Sequence, residues 1–495
     1  MTGSEPSGAT DALRWVSQRD DYRSVAAGLD PSTRLPVHAT ITVDDPWQAF
    51  RRARGGEWSA YFETLGEHGG WSAFGIDPSA TLEVDPDELE PAQTTSLQRL
   101  TSVLEEESIH LTDEEPPIPG GWFGWLSYDI ARELEDLPET TERDRPLPRL
   151  GFARFDTIAS WQTPIEEGPV TIELTSCPRV GEDGEAAFDR GRERIAELAT
   201  QIESGSVEAE WGTPGDTIDF TPGVNREEYE RRVRTVKDYI REGDTFQVNL
   251  SQRFDGPATI HPVDAYEALR AANPSPYCGL LETPSVDLVS TSPELLLERT
   301  DTVAKTEPIA GTRPRGDTEA ADEALAEELR TDPKERAEHA MLVDLERNDL
   351  GRVCTPGTVE VTEYRRVDRY ASVWHLVSMV EGELNPEVTL AELFAAMLPG
   401  GTVTGAPKPR TMEIIDELED RRRGPYTGSM AVIGFDGQIR SNMVIRTLEH
   451  HDRQYRLRVG GGIVHDSIPD REYDETLAKA AAIREAIATD PTGDP

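Results

Sequence analysis

The chain has 495 residues, with 94 Asp and Glu against 50 Lys and Arg and a formal charge of −44. Five of the cations are lysines (Lys237, Lys305, Lys334, Lys408 and Lys479), a balance suited to concentrated salt, where screening acts within about 3 Å at 1 M, and one that excludes nucleic acid as a partner. Three scattered cysteines (Cys177, Cys278, Cys354) without C-x-x-C spacing exclude a disulfide framework and a thiolate zinc site; with no apolar run of about 18 residues, a cytoplasmic location is expected.

Residues 1–35 read as a mobile or loosely packed leader, without the charged-then-apolar order of a secretion signal. Between about 38 and 200, the alternating runs Ala39–Val43 and Val170–Leu174 predict strands, separated by acidic, proline-bearing loops near 84–92, 104–117 and 133–148. A helix is expected over 183–203. Residues 204–224, rich in Gly, Glu, Thr and Pro, predict a linker, dividing the chain into an N-terminal α+β region at 1–215 and a second domain at 222–490. Beyond it, 226–242 predicts a helix closing at Gly243, followed by a strand from Phe246 to Leu250. Ser429–Phe435, Gln438–Leu448 and Gln454–Val464 predict a three-strand meander with a turn at Asp436-Gly437, before a last helix over about 470–488. Strands that precede helices without regular alternation predict an α+β fold.

Two acidic pairs stand out on the predicted helices. Asp332 and Pro333 mark an N-cap and first turn, which places Glu335 and Glu338 on one face at i,i+3. Glu335 sits where the second half of a capping box would lie, whereas Glu338 continues the apolar stripe of Leu342 and Leu345, and a half-buried carboxylate is costly unless paired or metal-bound. Glu472, Glu475, Lys479 and Ile483 share a second such face, where Glu475 and Lys479 also suit a solvated helix pair. Two opposed faces of this kind could hold Mg²⁺, a hard cation that takes carboxylates, waters and substrate oxygens.

The loop Pro399-Gly-Gly-Thr-Val-Thr-Gly-Ala-Pro-Lys408 lacks the lysine and hydroxyl placement of a nucleotide P-loop. It remains a turn at a helix start, suited to a carboxylate. Val459-Gly-Gly-Gly-Ile463 allows close backbone approach. Taken singly, His375 reads as a structural histidine in an apolar strand more readily than as a catalytic one, and Arg446 equally as an ion-pair residue or a ligand clamp.

Taken in order, residues 225–488 resemble the chorismate-utilising enzymes, and among them the large subunit of anthranilate synthase. The resemblance runs through Phe246-Gln-Val-Asn-Leu-Ser251, Asn273-Pro-Ser-Pro-Tyr277, Ser292-Pro-Glu294, Pro308-Ile-Ala-Gly-Thr-Arg313, the Glu335/Glu338 helix, Val343-Asp-Leu-Glu-Arg-Asn-Asp-Leu350, Gly405-Ala-Pro-Lys408, Tyr426-Thr-Gly428, Arg446 and the stretch from Gly460 to Glu475. It implies large, mainly antiparallel sheets in the core with helices outside. It implies Mg²⁺ ligated by Glu338 and Glu475 with Glu335 and Glu472 beside them. Gly311, Thr312, Tyr426, Arg446, Gly460, Gly461, Gly462 and Lys479 would hold the carboxylates of chorismate. Glu294 would act as general acid, with His375 and Thr312 completing the catalytic set.

Water-adding relatives carry a lysine base where this chain has Gln247, and many aminodeoxychorismate synthases carry a lysine nucleophile where it has Ala310. Ammonia attack giving anthranilate, in tryptophan biosynthesis, is therefore the expected chemistry, with aminodeoxychorismate synthesis as the alternative and a non-catalytic tryptophan-sensing subunit as a remote one. The ammonia source implied is a separate glutamine amidotransferase subunit, making a hetero-oligomer. Family members also bind tryptophan as a feedback inhibitor. The corresponding positions here are Glu63 and Thr64, in a departure from the family motif, with Asn273, Pro274, Ser275, Pro276 and Tyr277.

Overall fold

The alternating runs expected near 39 and 170 pair with one another: Val37–Val43 lies antiparallel to Val170–Ser176, with Ile41 opposite Ile172 and Ala39 opposite Leu174. The computed structural model describes residues 13–488 apart from 67–68, 90–93, 113–117, 166–167, 208–210, 213–216 and 371–372. Its strands form one 13-stranded and one 10-stranded sheet, and the pairings between the named strands are antiparallel. Phe123 and Met430 of the smaller sheet pack with Ala73, Leu281 and Leu288 of the larger, closing a core between them. Helices flank the sheets: Pro469–Ala488 packs on Arg226–Glu242 and on Pro262–Ala272. This is the expected α+β arrangement.

Each sheet draws strands from both sides of residue 215. Ser59–Glu63 pairs with Tyr277–Glu282 in the larger sheet, and Gly121–Leu126 with Ser429–Gly434 in the smaller. The N-terminal region and the second domain thus share one framework.

Three local expectations are corrected. Residues 13–35 are a packed edge: Arg14–Trp15 pairs with Ala39 and Thr40, and the Tyr22 ring of helix Arg19–Ala26 packs, tilted, 5.1 Å from that of Phe188. Arg19 also bridges Glu185 and Asp189; residues 1–12 lie outside the described part. The linker is partly built in, since Ile218 is fully buried against Gly256 and Thr221–Pro222 adds an edge strand to Gln247–Pro257. The predicted meander is not one sheet. Its middle run splits into Ile439–Asn442, in the smaller sheet, and Thr447–His451, in the larger, because the chain turns at Arg446 with φ +50°. A non-glycine residue held there carries strain that its surroundings must impose.

Other expectations hold closely. Helix Gly184–Ser204 is present, helix Arg226–Glu242 ends at a left-handed Gly243, and helices Pro333–Gly351 and Pro469–Ala488 carry the acidic pairs.

Candidate active site

Strand Ile309–Pro314 runs beside strand Val373–Glu383, and the register slips by one residue between Ala310 and Thr312. The extra residue is Gly311, at φ +72°, where a Cβ would stand 2.8 Å from Glu335 Oε2 and 2.9 Å from Leu329 Cδ1. This glycine bulge swings Thr312 against His375. Gly311→Ala is expected to lower stability by about 1–3 kcal/mol through backbone strain and crowding. Denaturant unfolding measures it, and an unchanged midpoint would discard this account of the bulge.

His375 is buried beneath the bulge. Arg446 Nη2 lies 3.4 Å from its Nε2, and a guanidinium only donates, so Nε2 accepts. Nδ1 then carries the proton, 3.2 Å from both the Gly311 carbonyl and Thr312 Oγ1. Burial first, and Arg446 second, lower its pKa to about 4, leaving a neutral imidazole at pH 7.

Arg446 makes no ion pair with any carboxylate among the described residues. Burial depresses its pKa, and a buried guanidinium without a carboxylate ion pair is suited to an anion. Glu294 lies nearby, accepting a 2.6 Å hydrogen bond from Thr402 Oγ1. Burial raises its pKa to about 7 against the opposing pull of Thr402 and Arg446. One cavity therefore holds a carboxylic acid poised near neutrality and an unpaired cation.

That cavity, of about 700 Å³, is lined by Glu294, Gly311, Thr312, His375, Tyr426, Arg446, Gly460, Gly461, Gly462, Glu475 and Lys479. It thus unites the residues expected to act on or hold a substrate. The glycines belong to strand Gln454–Ile463, with Gly460 opposite Ser251 and Gly462 opposite Asn249. A Cβ at Gly460 would stand 2.8 Å from Asn249 Oδ1 and 2.9 Å from the Tyr426 hydroxyl, and one at Gly462 would overlap the Gln247 amide. Lys479 Nζ donates to the Gly460 carbonyl at 2.8 Å and pairs with Glu475 at 2.8 Å, so the helix pair allowed by the spacing is present.

The four glutamates gather at one end. Glu335 is not a capping residue: Asp332 caps the helix alone, and Glu335 pairs with Arg313 at 2.9 Å. Glu338 accepts from Gln247 Nε2 at 3.1 Å, and its pKa is raised by burial, then by Glu335 and more weakly by Glu472. Gly461 faces Glu472 and Glu475, its Cβ position lying 3.6 and 3.7 Å from their oxygens. Among the described residues no three carboxylate, imidazole or thiolate groups already surround one point. The donor chemistry nonetheless suits a hard divalent cation, because burial and mutual repulsion raise the pKa of Glu338 and of Glu472.

Two features escaped the sequence reading. Thr402 lies in the glycine-rich loop noted above, whose hydroxyls were the available signal. Behind Tyr426, Glu419 is buried and accepts from Ser251, Arg423 and Arg458, the last at 2.8 Å. Arg423 stacks over Tyr128 and Tyr426 at 4.8 and 5.6 Å, and nothing in the residue spacing announces this group. Lys408 is turned away from the cavity and pairs with Asp349 at 2.6 Å.

A second cavity, of about 240 Å³, is lined from both sheets by Phe62, Glu63, Thr64, Pro276, Tyr277, Met430 and Arg440. The Glu63 carboxylate faces the core, held by Tyr266 and by Arg270 at 2.6 and 2.7 Å. Asn273 lines the larger cavity instead, while Pro274 and Ser275 line neither.

Comparison with known proteins agrees with this geometry. Residues 32–485 match the chorismate binding enzyme family. An anthranilate synthase component 1 of Haloarcula marismortui is 52% identical over 480 residues, covering 96% of this chain and 95% of that one. The aminodeoxychorismate synthase component 1 of Bacillus subtilis is 40% identical over 430 residues, 85% and 89% of the two chains. The crystal structure of anthranilate synthase component I from Streptococcus pneumoniae TIGR4 superposes with a TM-score of 0.72 at 31% identity, over 84% of this chain and 92% of that one. With a match that spans nearly the whole chain and a cavity that sets a buried guanidinium beside a carboxyl poised near neutrality, this protein belongs to the chorismate binding enzymes.

Proposed function

We propose that this chain is the large component of an anthranilate synthase, a lyase that converts chorismate and ammonia to anthranilate, pyruvate and water in tryptophan biosynthesis. The observation that carries the reading is the cavity in which Glu294, its pKa pushed up to about 7 by burial, and Arg446, without a carboxylate ion pair among the described residues, face the same space, in a chain 52% identical to a component 1. Arg446 would take one substrate carboxylate, with the Gly460–Gly462 strand and Lys479 beside it. Glu294 would give its proton to the departing hydroxyl, so that water rather than hydroxide leaves as ammonia bonds to the ring. Neutral His375, its Nε2 lone pair toward Arg446, would serve the later loss of pyruvate, with Thr312 fixing the ring's orientation.

Glu338 and Glu475 would ligate Mg²⁺, with Glu335 and Glu472 as supporting carboxylates. When bound, the ion would neutralise the ring carboxylate and draw electron density from the ring.

Ammonia must come from another chain. All three cysteines are buried and free, with thiols pushed up by burial, Cys354 to about 11, so none is a nucleophile for glutamine hydrolysis. A glutamine amidotransferase subunit is the partner this implies, and the two Haloarcula relatives fit the salt-adapted composition. Among the described residues no helix is long and apolar enough to cross a membrane.

The second reading is aminodeoxychorismate synthesis, since a 40% identical relative bears that name. Ala310 lines the active cavity where a lysine nucleophile would be needed, which favours anthranilate. The smaller cavity between Thr64, Tyr277 and Arg440 would take tryptophan as a feedback inhibitor. Purified protein with chorismate, Mg²⁺ and ammonium in concentrated salt should yield fluorescent anthranilate, and added tryptophan should suppress it. Formation of 4-amino-4-deoxychorismate would promote the second reading.

A further inference from the structure

On strand Gln247–Pro257 alternate side chains share a face, so Gln247, Asn249 and Ser251 are presented together toward the glycine strand Gln454–Ile463. The outer two are engaged. Gln247 Nε2 donates to Glu338 at the glutamate end of the cavity, and the Ser251 hydroxyl donates to Glu419 behind Tyr426. Asn249 stands between them and lines the cavity. Both of its backbone groups are held: the N–H donates to the Thr404 carbonyl at 2.7 Å, and the carbonyl accepts from Arg423 Nη2 at 2.7 Å. Its side-chain Oδ1, by contrast, is buried and receives no hydrogen bond from any described residue.

Gly460 leaves the room beside it. Its missing Cβ would stand 2.8 Å from Asn249 Oδ1 and 2.9 Å from the Tyr426 hydroxyl, so both polar groups border one open space. A buried amide oxygen costs free energy unless it meets a donor. The two carboxylates of chorismate carry none, and its single hydroxyl is the group that Glu294 would serve. The other reactant is ammonia, with three N–H donors and one lone pair.

Resting on the anthranilate synthase reading, we propose that Asn249 binds the attacking ammonia, its Oδ1 accepting one N–H so that the nitrogen lone pair is aimed at the ring. The point of attack, C2, lies between C1, whose carboxylate belongs at the glutamate end, and C3, whose enolpyruvyl carboxylate belongs at Arg446 and Tyr426. Asn249 lies between the same two ends of the strand. The N–C2 bond forms as the C4–O bond breaks and the ring double bonds shift, and the hydroxyl leaves as water with the Glu294 proton. The new ammonium then releases a proton to solvent, and Glu294 regains one from it. An amide takes up no proton at neutral pH, so Asn249 orients a nucleophile that already has a free lone pair and gives water no base.

The test is kinetic, on the full chain with Mg²⁺, ammonium chloride being exchanged for potassium chloride at constant ionic strength. Asn249→Leu keeps the size and removes the acceptor. Its KM for ammonia should rise about 5–10-fold, the worth of one neutral hydrogen bond, while KM for chorismate stays within about twofold of native. Because no described residue bonds the amide oxygen, Tm should fall by no more than about 2 °C. An unchanged KM for ammonia, or a rise in KM for chorismate alone, would overturn the proposal and place the amide on water or on the substrate hydroxyl. Asn249→Ala, which cannot overpack the site, carries the same expectation if the leucine variant does not fold, and failure of both to fold would overturn the proposal by making the amide structural. A native chain that makes no anthranilate would refute the reading and the proposal together; one that makes it, with KM for ammonia unmoved in the variants, would refute the proposal alone.

Discussion

Glu294→Gln should lower kcat for anthranilate formation by about 10²–10⁴-fold, the usual contribution of a positioned general acid. The amide keeps the shape and still accepts from the Thr402 hydroxyl, bonded at 2.6 Å in the native chain, so positioning survives while the transferable proton does not. KM should change little, because Arg446 and the glycine strand hold the substrate. The pH profile separates this from structural damage. Burial places the Glu294 pKa at about 7, and the acid is needed in its protonated form, so native kcat/KM should fall as pH rises through about 7. His375, with its pKa lowered to about 4, stays neutral across that range and cannot produce the limb. In Glu294→Gln the alkaline limb should vanish along with the rate. A variant within about threefold of native kcat, or one that keeps the limb, would remove Glu294 from the acid role.

Glu338→Gln should have opposite effects on activity and on the metal-free fold. Glu338 is a half-buried carboxylate beside Glu335 and Glu472, with Gln247 as its hydrogen-bond donor at 3.1 Å. Its amide isostere still accepts that bond and removes one charge from a repulsive group, so the metal-free variant should melt no lower than the native chain, and higher at low salt. Activity with Mg²⁺ should drop more than about 100-fold, and Mg²⁺ should no longer raise Tm, because binding to the native state alone is what stabilises it. Arg313 and Lys479, which pair with Glu335 and Glu475 in this structure, would then remain as charge partners there, with Lys334 near Glu338 and Glu472. Retained activity with a retained Mg²⁺-dependent Tm shift would exclude Glu338 as a ligand.

Much of the site was legible because it lies on elements with strong local signatures. Asp332 and Pro333 start the helix where they should, and Gly243 ends another. Chain contacts distant in sequence decided the rest. Glu335 has the spacing of a capping residue, but the bulge at Gly311 brings Arg313 to it, and an ion pair across two elements is invisible to spacing. The run from Gln438 to Leu448 alternates like one strand. Its division between two sheets depends on a left-handed Arg446, a conformation that arginine does not advertise as glycine would. The packing of 13–35 is not announced by its polar composition, because its buried apolar residues, among them Leu13, Tyr22 and Leu35, find partners far along the chain.

The shared sheets also set a timetable for the newborn chain. Gly121–Leu126 is flanked on one side by Leu150–Phe155, but its other neighbour is Ser429–Gly434. At synthesis rates of about 5–20 residues per second, the roughly 300 intervening residues take about 15–60 s to emerge. Throughout that interval a bare strand edge bearing Trp122, Phe123 and Trp125 is open to pairing with another chain. The acidic loops made alongside it give each unfinished molecule a like charge, which in dilute salt keeps such edges apart. In concentrated salt that repulsion is screened, so charge gives the edge little protection until the final strands arrive.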